Sequence, residues 1–250
     1  MEELHAQLVE IMKEMPEYEF EHIYIDNAST DQTVSILRRL AAEDPRIKVI
    51  LNTRNFGFNR SSYYGILQAS GDAVIFMVSD LQDPPFLIKK FIQQWEEGKK
   101  VVIGIKTQSE ESKIIYNMRT MYYRLLCKLS DVPLIEHFTG FGLYDREVVE
   151  VLRKIKDPNP YLRGLITEMG FDIGKIEFQQ PVRKNGRSKA NFLVLFDLAM
   201  LGFTNNTKIP LRMATIVGFV IAVLSFIVGL FYLIYKIIYW DTLVQNRFSG

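Results

Sequence analysis

The feature that most restricts the fold of this sequence is an uncharged stretch near the carboxyl terminus. Residues 213–235 contain no charged side chain, and 19 of these 23 residues are hydrophobic. As a helix the stretch would be about 35 Å long, which is enough to cross a bilayer. Core helices of soluble proteins rarely extend this far without a charge. The stretch therefore predicts a transmembrane helix over residues 211–237, followed by a tail over 238–250.

The remainder has the composition of a globular domain. The chain of 250 residues carries 30 Lys and Arg against 29 Asp and Glu, and 48% of its residues are hydrophobic. This charge balance argues against a nucleic acid as partner, and the hydrophobic content argues against disorder. The single cysteine, Cys127, excludes a disulfide framework. Because the amino terminus has no signal-peptide pattern, we expect the domain to lie in the cytoplasm, at the inner membrane of the cell.

Short apolar runs alternate with amphipathic segments through residues 1–186. Such alternation is typical of units in which helices join parallel strands. The sequence therefore predicts an α/β domain over these residues, with a mostly parallel sheet. The predicted strands are 20–26, 47–51, 73–78 and 100–105, and the predicted helices are 2–14, 31–43, 59–69, 84–97, 113–130 and 146–154.

A transitional stretch over residues 187–210 separates this domain from the apolar run. The stretch begins within a basic segment, which has four cations in residues 183–189. Residues 191–203 then carry Asp197 as their only charged side chain. This part is too short to cross a bilayer. It predicts an amphipathic helix that lies at the membrane interface. The alternative is an ordinary last core helix of the domain.

Two acidic motifs follow predicted strands, at the sheet edge where α/β proteins bind ligands. In IDNASTD (25–31), Asp26 ends a strand, and residues 29–32 have the pattern of a capping box for the next helix. In SDLQDPP (79–85), two carboxylates and an amide fall within four residues. Such hard oxygen ligands suit Mg²⁺ or Mn²⁺. The alternative is a helix start that is enriched in Asp because of the helix dipole.

Four motifs occur in the order of a known family. IDNASTD resembles V-D-D-G-S-T-D, and RNFGFNRSSYYGI (54–66) resembles an R-N-x-G loop with its helix. SDLQDPP resembles D-A-D-L-Q-D-P-P, and RKNGRSKAN (183–191) resembles R-x-x-G-x-S-K-Y. The chain thus resembles a family 2, GT-A-type glycosyltransferase. Its motifs are most similar to the polyprenyl-phosphate sugar transferases, such as dolichyl-phosphate mannose synthase and bactoprenol glucosyltransferase.

The resemblance implies a Rossmann-like nucleotide-sugar domain that transfers a sugar, with inversion, from a UDP-sugar to polyprenyl phosphate at the cytoplasmic leaflet. It also implies roles for single residues. Asp26 would hold the uracil or ribose, and Asp80 and Gln82 would bind Mg²⁺ or Mn²⁺. Lys106 and Arg119 would contact the acceptor phosphate, although 106–113 also fits an ordinary solvated loop. The residues implied in binding the diphosphate are Asp80, Arg183, Arg187, Ser188 and Lys189.

The sequence departs from the family pattern at three positions that matter for chemistry. Val78 stands where the first metal-ligating Asp is expected. Gly140 stands where the family has its proposed catalytic base, an Asp, and Gly142 stands where it has an Arg. The remaining candidates for a base are Glu136, Asp145 and Glu168, of which Asp145 also fits the N-cap of the helix over 146–154.

The missing base favours an acceptor that needs little proton abstraction. A phosphate monoester is largely an anion at neutral pH, whereas a sugar hydroxyl needs a positioned base. A polysaccharide-type transferase with a hydroxyl acceptor is therefore a second interpretation, and its usual Q-x-x-R-W segment is absent from the sequence. A third is a catalytically impaired pseudo-glycosyltransferase that acts as a regulatory or scaffold module.

The first strand of the family pattern has no counterpart ahead of the predicted helix over 2–14, which suggests an amino-terminal truncation. A homo-oligomer is compatible with a single membrane span.

Overall fold

The computed structural model of the protein describes residues 1–108, 135–181, 200 and 209–239. The chain divides into two compact units, Met1–Asn206 and Thr207–Gly250. The predicted helix over 113–130, the basic segment and, apart from Met200, the predicted interfacial helix over 191–203 lie outside the described residues.

The first unit contains six helices and six strands among the described residues. Most of the predicted elements are found within a few residues of their expected bounds. In chain order the elements are α1 (Glu2–Lys13), β1 (His22–Asp26), α2 (Thr33–Glu43), β2 (Ile47–Leu51), α3 (Phe58–Gln68), β3 (Ala73–Phe76), a 3₁₀ turn (Pro85–Leu87), α4 (Ile88–Glu96), β4 (Val101–Gln108), β5 (Phe138–Asp145), α5 (Arg146–Lys154), α6 (Leu162–Glu168) and β6 (Ile173–Gln179).

The described strands form two sheets. Strands β1 and β2 pair in parallel, and the other four have the order β3-β5-β4-β6. Strand β4 is parallel to β6, but β5 is antiparallel to both β3 and β4. The α/β class is confirmed, whereas the mostly parallel arrangement holds only for the pairs β1–β2 and β4–β6. The reason is local: the Lys106 N–H donates to the His137 carbonyl at 3.3 Å, so β5 starts where β4 ends and runs back.

Helices cover both faces of the four-stranded sheet. On one face, Val101, Ile103 and Tyr144 pack with residues of α3, α5 and α6. On the other face, alternate residues of the same strands pack with α1 and α4, and the ring centroids of Phe91 and Phe141 lie 4.8 Å apart. Both rings are fully buried. Burial of a large apolar side chain contributes about 1.5–3 kcal/mol, so these contacts fix the strands that carry the functional loops.

The two sheets are linked at both ends of their strands. At the amino ends, Glu21 before β1 accepts hydrogen bonds from Ser70 and Gly71, which precede β3. At the carboxyl ends, Phe58 at the start of α3 makes an edge-to-face contact with Phe76 at the end of β3, with ring centroids 6.0 Å apart. The loops that follow β1, β2 and β3 therefore lie on the same side of the first unit.

The second unit contains one long helix, α7 (Ile209–Ile238). Within it, Arg212–Ile238 is long and apolar enough to cross a membrane, with a mean hydropathy of 2.7 over its most apolar window. None of that window is buried, and Phe219, Phe226 and Phe231 are each about 70% exposed. The helix has the length and the apolar surface that the sequence predicts for a membrane span.

Candidate active site at the carboxyl edge of the strands

Backbone strain is concentrated at the carboxyl edge. Among the described residues, the non-glycine residues with positive φ are Ala28, Leu81 and His137, with φ between 60° and 63°. Ala28 lies in the loop after β1, Leu81 in the loop after β3, and His137 directly before β5. Left-handed backbone costs an L-residue about 1–2 kcal/mol and is commonly kept where function requires it. The strain therefore marks this edge as the candidate site.

Asp26 ends β1 with a buried carboxylate that organises the next loop. The side chain is 5% exposed, and its Oδ2 accepts the backbone N–H of Ser29 at 2.9 Å. The capping box expected over residues 29–32 is not formed. Helix α2 begins at Thr33, two residues later than predicted, and the Thr33 N–H donates to Asp31 at 2.9 Å. Asp26 thus lies where the nucleotide-binding residue was predicted, with its orientation fixed by Ser29.

Asn27 connects the loop after β1 to the loop after β2. Its Oδ1 accepts hydrogen bonds from Asn52 at 3.2 Å, from Ser61 at 2.9 Å and from the backbone N–H of Phe56 at 2.9 Å. Its Nδ2 donates to Asn55 at 2.8 Å. The sequence motifs contain Asn27, Asn55, Phe56 and Ser61 but not Asn52, and nothing in the sequence shows that Asn27 joins these residues. The loops after β1 and β2 are therefore joined into one polar network.

The loop after β3 places Asp80 and Gln82 side by side. Asp80 Oδ1 accepts the backbone N–H of Gln82 at 3.1 Å across the left-handed residue Leu81, and both side chains are partly exposed. A carboxylate and an amide fit Mg²⁺ or Mn²⁺, which commonly bind one or two protein oxygens and complete their shell with water and substrate phosphates. Among the described residues no group of three or more His, Cys, Asp or Glu could hold a metal ion. The donor set therefore fits a cation that is shared with a substrate.

Asp83 is the second carboxylate of the SDLQDPP motif, and the family resemblance assigned no role to it. Its side chain is 2% exposed, and its Oδ2 accepts the backbone N–H of Val78 at 2.9 Å. Burial raises the pKa of Asp83 to about 7; the Val78 N–H and Lys106 oppose this rise, whereas the Asp80 carboxylate adds to it. A buried carboxyl that faces a second carboxyl and a lysine is a common feature of functional sites.

Two further charged residues lie near the start of β5. Glu136, which is partly exposed, precedes His137, and the carbonyl of His137 accepts the N–H of Lys106. On the neighbouring helix α6, Arg163 Nη1 donates to the Phe138 carbonyl at 3.2 Å, and its guanidinium lies 5.1 Å from the centroid of the Tyr161 ring. The edge therefore combines the predicted residues Glu136 and Lys106 with a cation, Arg163, that was not predicted.

The other two base candidates lie elsewhere. Asp145 is at the opposite edge, where its backbone pairs with Ala73 at the start of β3. It caps α5 by accepting the N–H of Glu147 at 2.9 Å, and it also accepts bonds from Trp95 and Lys100. Burial alone would raise the pKa of Asp145, but these three hydrogen bonds lower it. Asp145 therefore lies away from the edge that carries Asp80, and its alternative role as an N-cap is confirmed.

Glu168 is also separated from the edge. It is exposed at the last position of α6, five residues beyond Arg163 and so about 7.5 Å further along the helix. Of the three candidates for a base, the structure brings only Glu136 to the edge that carries Asp80. The predicted contacts Arg119, Arg183, Arg187, Ser188 and Lys189 lie outside the described residues.

Gly140 and Gly142, at two of the positions where the sequence departs from the family pattern, do not readily accept a side chain. A Cβ on Gly140, whose φ is +103°, would lie 3.4 Å from Phe76. A Cβ on Gly142 would lie 2.5 Å from the carbonyl oxygen of Val102, closer than real Cβ atoms approach. At Gly140 the contact with Phe76 would be ordinary, and it is the positive φ that disfavours a side chain; at Gly142 the neighbouring strand β4 leaves no space for one.

Sequence comparisons with known proteins identify one family. The sequence model described as "Glycosyl transferase family 2" matches residues 2–153. The chain is 30% identical to the glycosyltransferase YkcC of Bacillus subtilis, over 99% of this chain and 79% of that protein. It is 34% identical to the bactoprenol glucosyl transferase of Shigella phage SfV, over 93% of this chain and 74% of that protein.

Among solved structures, the mannosyltransferase PcManGT of Pyrobaculum calidifontis, in complex with GDP-Man and Mn²⁺, is 18% identical with a TM-score of 0.46. The match covers 73% of this chain and 55% of PcManGT. The family assignment depends instead on the sequence match, which spans more than half of the chain and includes the loops after β1, β2 and β3. With a relative that is 30% identical along nearly the whole chain, this match shows that the protein is a glycosyltransferase and belongs to glycosyl transferase family 2.

Proposed function

We propose that the protein transfers a sugar from a UDP-sugar to a polyprenyl phosphate, with inversion at the anomeric carbon. The observation that carries this proposal is the shared edge of the Asp26–Asn27 loop and the Asp80–Gln82 turn. A nucleotide site beside a divalent-cation site is what transfer from a nucleotide diphosphate sugar requires. The relatives named bactoprenol glucosyl transferase support a polyprenyl phosphate as the acceptor.

The donor nucleotide would lie against the loops after β1 and β2. The Asp26 carboxylate, fixed by the Ser29 N–H, would accept a hydrogen bond from the uracil or the ribose. Beside it, Arg54 stacks on Phe56 with its guanidinium carbon 4.3 Å from the ring centroid. The Asn27 hydrogen bonds would hold these loops in place before the donor binds, which reduces the entropy lost on binding.

Asp80 and Gln82 would hold Mg²⁺ or Mn²⁺ together with the donor diphosphate. When bound, the cation would neutralise the charge that develops on the departing UDP. Positively charged side chains of the protein would also bind the phosphates. At the described edge these are Lys106 and Arg163, and the remaining proposed contacts are Arg119, Arg183, Arg187, Ser188 and Lys189.

A phosphate acceptor is consistent with the carboxyl groups at this edge. Because a phosphate monoester is mostly ionised at neutral pH, its oxygen can attack the sugar carbon without a strong base. Glu136 is the one base candidate from the sequence that lies at the edge, and in this proposal its contribution is small. With a hydroxyl acceptor, Glu136 would have to remove the hydroxyl proton, and its contribution to the rate would be much larger.

The apolar helix α7 would anchor the protein in the bilayer. Its uncovered apolar surface and its length support this role. The acceptor is a lipid, so an anchored enzyme would meet it at the membrane surface. We place the catalytic domain at the cytoplasmic leaflet of the inner membrane, where the nucleotide sugar is available.

The proposal is tested with the full chain in membranes. Radiolabelled UDP-sugars are incubated with polyprenyl phosphate and Mn²⁺, and label in the lipid-extractable fraction is counted. We expect Asp80→Ala to abolish transfer, while Asp72→Ala, an exposed carboxylate at the other end of β3, leaves it intact. Label in a polymer would instead indicate a hydroxyl acceptor, and equal transfer by Asp80→Ala would exclude the proposed metal ligand.

A catalytically impaired module is the second candidate function. The observations that favour it are Val78 at a ligand position, the positive φ of Gly140 and the lack of space at Gly142. A scaffold of this kind would still bind a nucleotide through the loops after β1 and β2. Binding of UDP without transfer from any UDP-sugar in the membrane assay would support this function over the first.

A further inference from the structure

The loop that carries Asp80 and Gln82 is closed by a hydrogen bond between its two ends. Oδ2 of Asp83 accepts the backbone N–H of Val78 at 2.9 Å. Val78 is the second residue after β3, and Asp83 comes directly before the two prolines that lead into α4. The bond therefore encloses residues 79–82, which include both proposed metal ligands.

We propose that Asp83 is a positioning residue, which holds Asp80 and Gln82 in the geometry that a divalent cation requires. This inference rests on the metal site of the proposed function. Asp83 would not itself bind the cation, because its side chain is buried and its Oδ2 already accepts the Val78 N–H.

Asp83 is well suited to fix this loop to the core. It is 2% exposed, the two prolines that follow it are buried, and Leu87 at the end of the 3₁₀ turn is 1% exposed. The residue before a proline is restricted to extended backbone, so Asp83 has little conformational freedom. The Val78 N–H is thus bonded to a side chain with little freedom to move, and this bond keeps the amino-terminal end of the loop close to the core.

The enclosed turn needs such support. Leu81 has φ +63°, and the Asp80 side chain folds back onto the Gln82 N–H at 3.1 Å. A left-handed leucine is unfavourable by itself, so the surrounding structure must stabilise it. Without the Val78–Asp83 bond, we expect the turn to relax and the two ligand side chains to separate. Small displacements of ligand groups are enough to weaken a metal site.

Two substitutions break this hydrogen bond, one at its acceptor and one at its donor. Asp83→Ala removes the acceptor, and Val78→Pro removes the donor N–H while it keeps the carboxyl group. Asp83→Asn is the matched variant, because its amide oxygen can still accept the Val78 N–H. Asp72→Ala serves as the control for loss of a carboxylate near β3, since Asp72 is exposed at the opposite end of that strand.

The measurement is Mn²⁺ binding to the full chain in detergent with saturating UDP, followed by the electron paramagnetic resonance signal of free Mn²⁺. We expect Asp83→Ala and Val78→Pro to raise the Mn²⁺ dissociation constant at least about tenfold, equivalent to about 1.4 kcal/mol. Asp83→Asn should stay within about threefold of the unmodified protein, which is about 0.65 kcal/mol. Asp72→Ala should show no change.

Three results would overturn the proposal. The first is unchanged Mn²⁺ affinity in a folded Asp83→Ala or Val78→Pro protein. The second is a loss in Asp83→Asn as large as in Asp83→Ala, which would make Asp83 a ligand. The third is failure of both bond-breaking variants to fold, which would make the bond a requirement of the domain. Asp80→Ala tests the proposed function separately: if it keeps full Mn²⁺ affinity, the metal assignment itself is wrong.

Discussion

Glu21 and Ser70 join the amino ends of two strands that belong to different sheets. Glu21 Oε1 accepts the hydroxyl of Ser70 at 2.8 Å, and the neighbouring Gly71 N–H donates to the same oxygen at 3.2 Å. The other carboxylate oxygen of Glu21 forms an ion pair with Lys48 on β2. One side chain thus connects β1, β2 and the turn before β3, and it helps to set how the functional loops at the far ends of these strands face each other.

We predict that Glu21→Gln destabilises the domain and changes its response to acid. Partial burial alone would raise the pKa of Glu21, but hydrogen bonds from Lys48 and Ser70 lower it from 4.5 to about 2. A lowered folded-state pKa gives stability that is present above pH 4.5 and is lost as the pH falls toward 2. Glu21→Gln should therefore lower the free energy of unfolding at pH 7 by about 1–3 kcal/mol and weaken its fall below pH 4.5.

Thermal unfolding of the full chain in detergent, followed by circular dichroism between pH 7 and pH 3, checks this prediction. Glu19→Gln is the control, because Glu19 is exposed two residues away. An acid response of Glu21→Gln equal to that of the unmodified protein would contradict the assignment of the low pKa to Glu21.

Ala28 provides a test of the backbone strain. Its φ of 61° is unfavourable for alanine and acceptable for glycine, which the family motif has at this position. Ala28→Gly should raise the free energy of unfolding by up to about 1 kcal/mol. Ala6→Gly, at an exposed position inside α1, should lower it by about 1 kcal/mol instead. Denaturant titrations of both variants measure the two signs, and a loss of stability in Ala28→Gly would show that the strain is absent.

Asn27 should couple stability to binding of the donor. Asn27→Ala leaves the donors of Asn52, Ser61 and Phe56 without their acceptor, so we expect a loss of about 1–3 kcal/mol in the free energy of unfolding. The dissociation constant for UDP, measured by isothermal titration calorimetry, should rise about tenfold as the loops separate. Asn27→Asp keeps the acceptor but loses the donor to Asn55, so both losses should be smaller than in Asn27→Ala. Equal UDP affinity in a folded Asn27→Ala protein would disprove the coupling.

The elements with a regular pattern were predictable, and those defined by contacts between distant segments were not. The run at 47–51 was identified as a strand and is β2. Strand β6 was missed although Ile176 and Phe178 are buried between the exposed residues Lys175 and Glu177, an alternation that the sequence displays. Strand β5 was missed for another reason, because Gly140 and Gly142 resemble a turn until their neighbours are known.

The same distinction applies to the site. Asp26, Asp80 and Gln82 were found because short motifs place them after strands. Asp83 belongs to one of those motifs, but its importance depends on burial and on the Val78 N–H, which sequence patterns do not encode. The position of Asp145 at the opposite edge follows from the antiparallel direction of β5, which the sequence pattern does not reveal.

Glu136 and Asp145 should respond differently to mutation. Asp145→Ala removes the cap of α5 and should lower the free energy of unfolding by about 1–2 kcal/mol, with the rate of transfer per folded molecule changed less than about threefold. Glu136→Gln should lower kcat by less than about tenfold, since a base contributes 10²–10⁴-fold only where the acceptor needs one. Radiolabel transfer at saturating donor measures both. A loss above about a hundredfold in Glu136→Gln would indicate a hydroxyl acceptor.

Restoring the family's residues at the two β5 glycines should fail. Gly140→Asp puts a side chain on a residue with φ +103°, and we expect this backbone strain to lower the free energy of unfolding by about 1–3 kcal/mol. Gly142→Arg should be more harmful, because its Cβ would lie 2.5 Å from a backbone oxygen, and rigid strand pairing prevents relief. Gly65→Ala in α3 is the matched control: its Cβ would make an ordinary 3.6 Å contact with Ile25, so stability should be kept or increased. Neither β5 variant should transfer sugar faster than the unmodified chain, and a faster, folded Gly140→Asp protein would show that β5 can accept the base that the family uses.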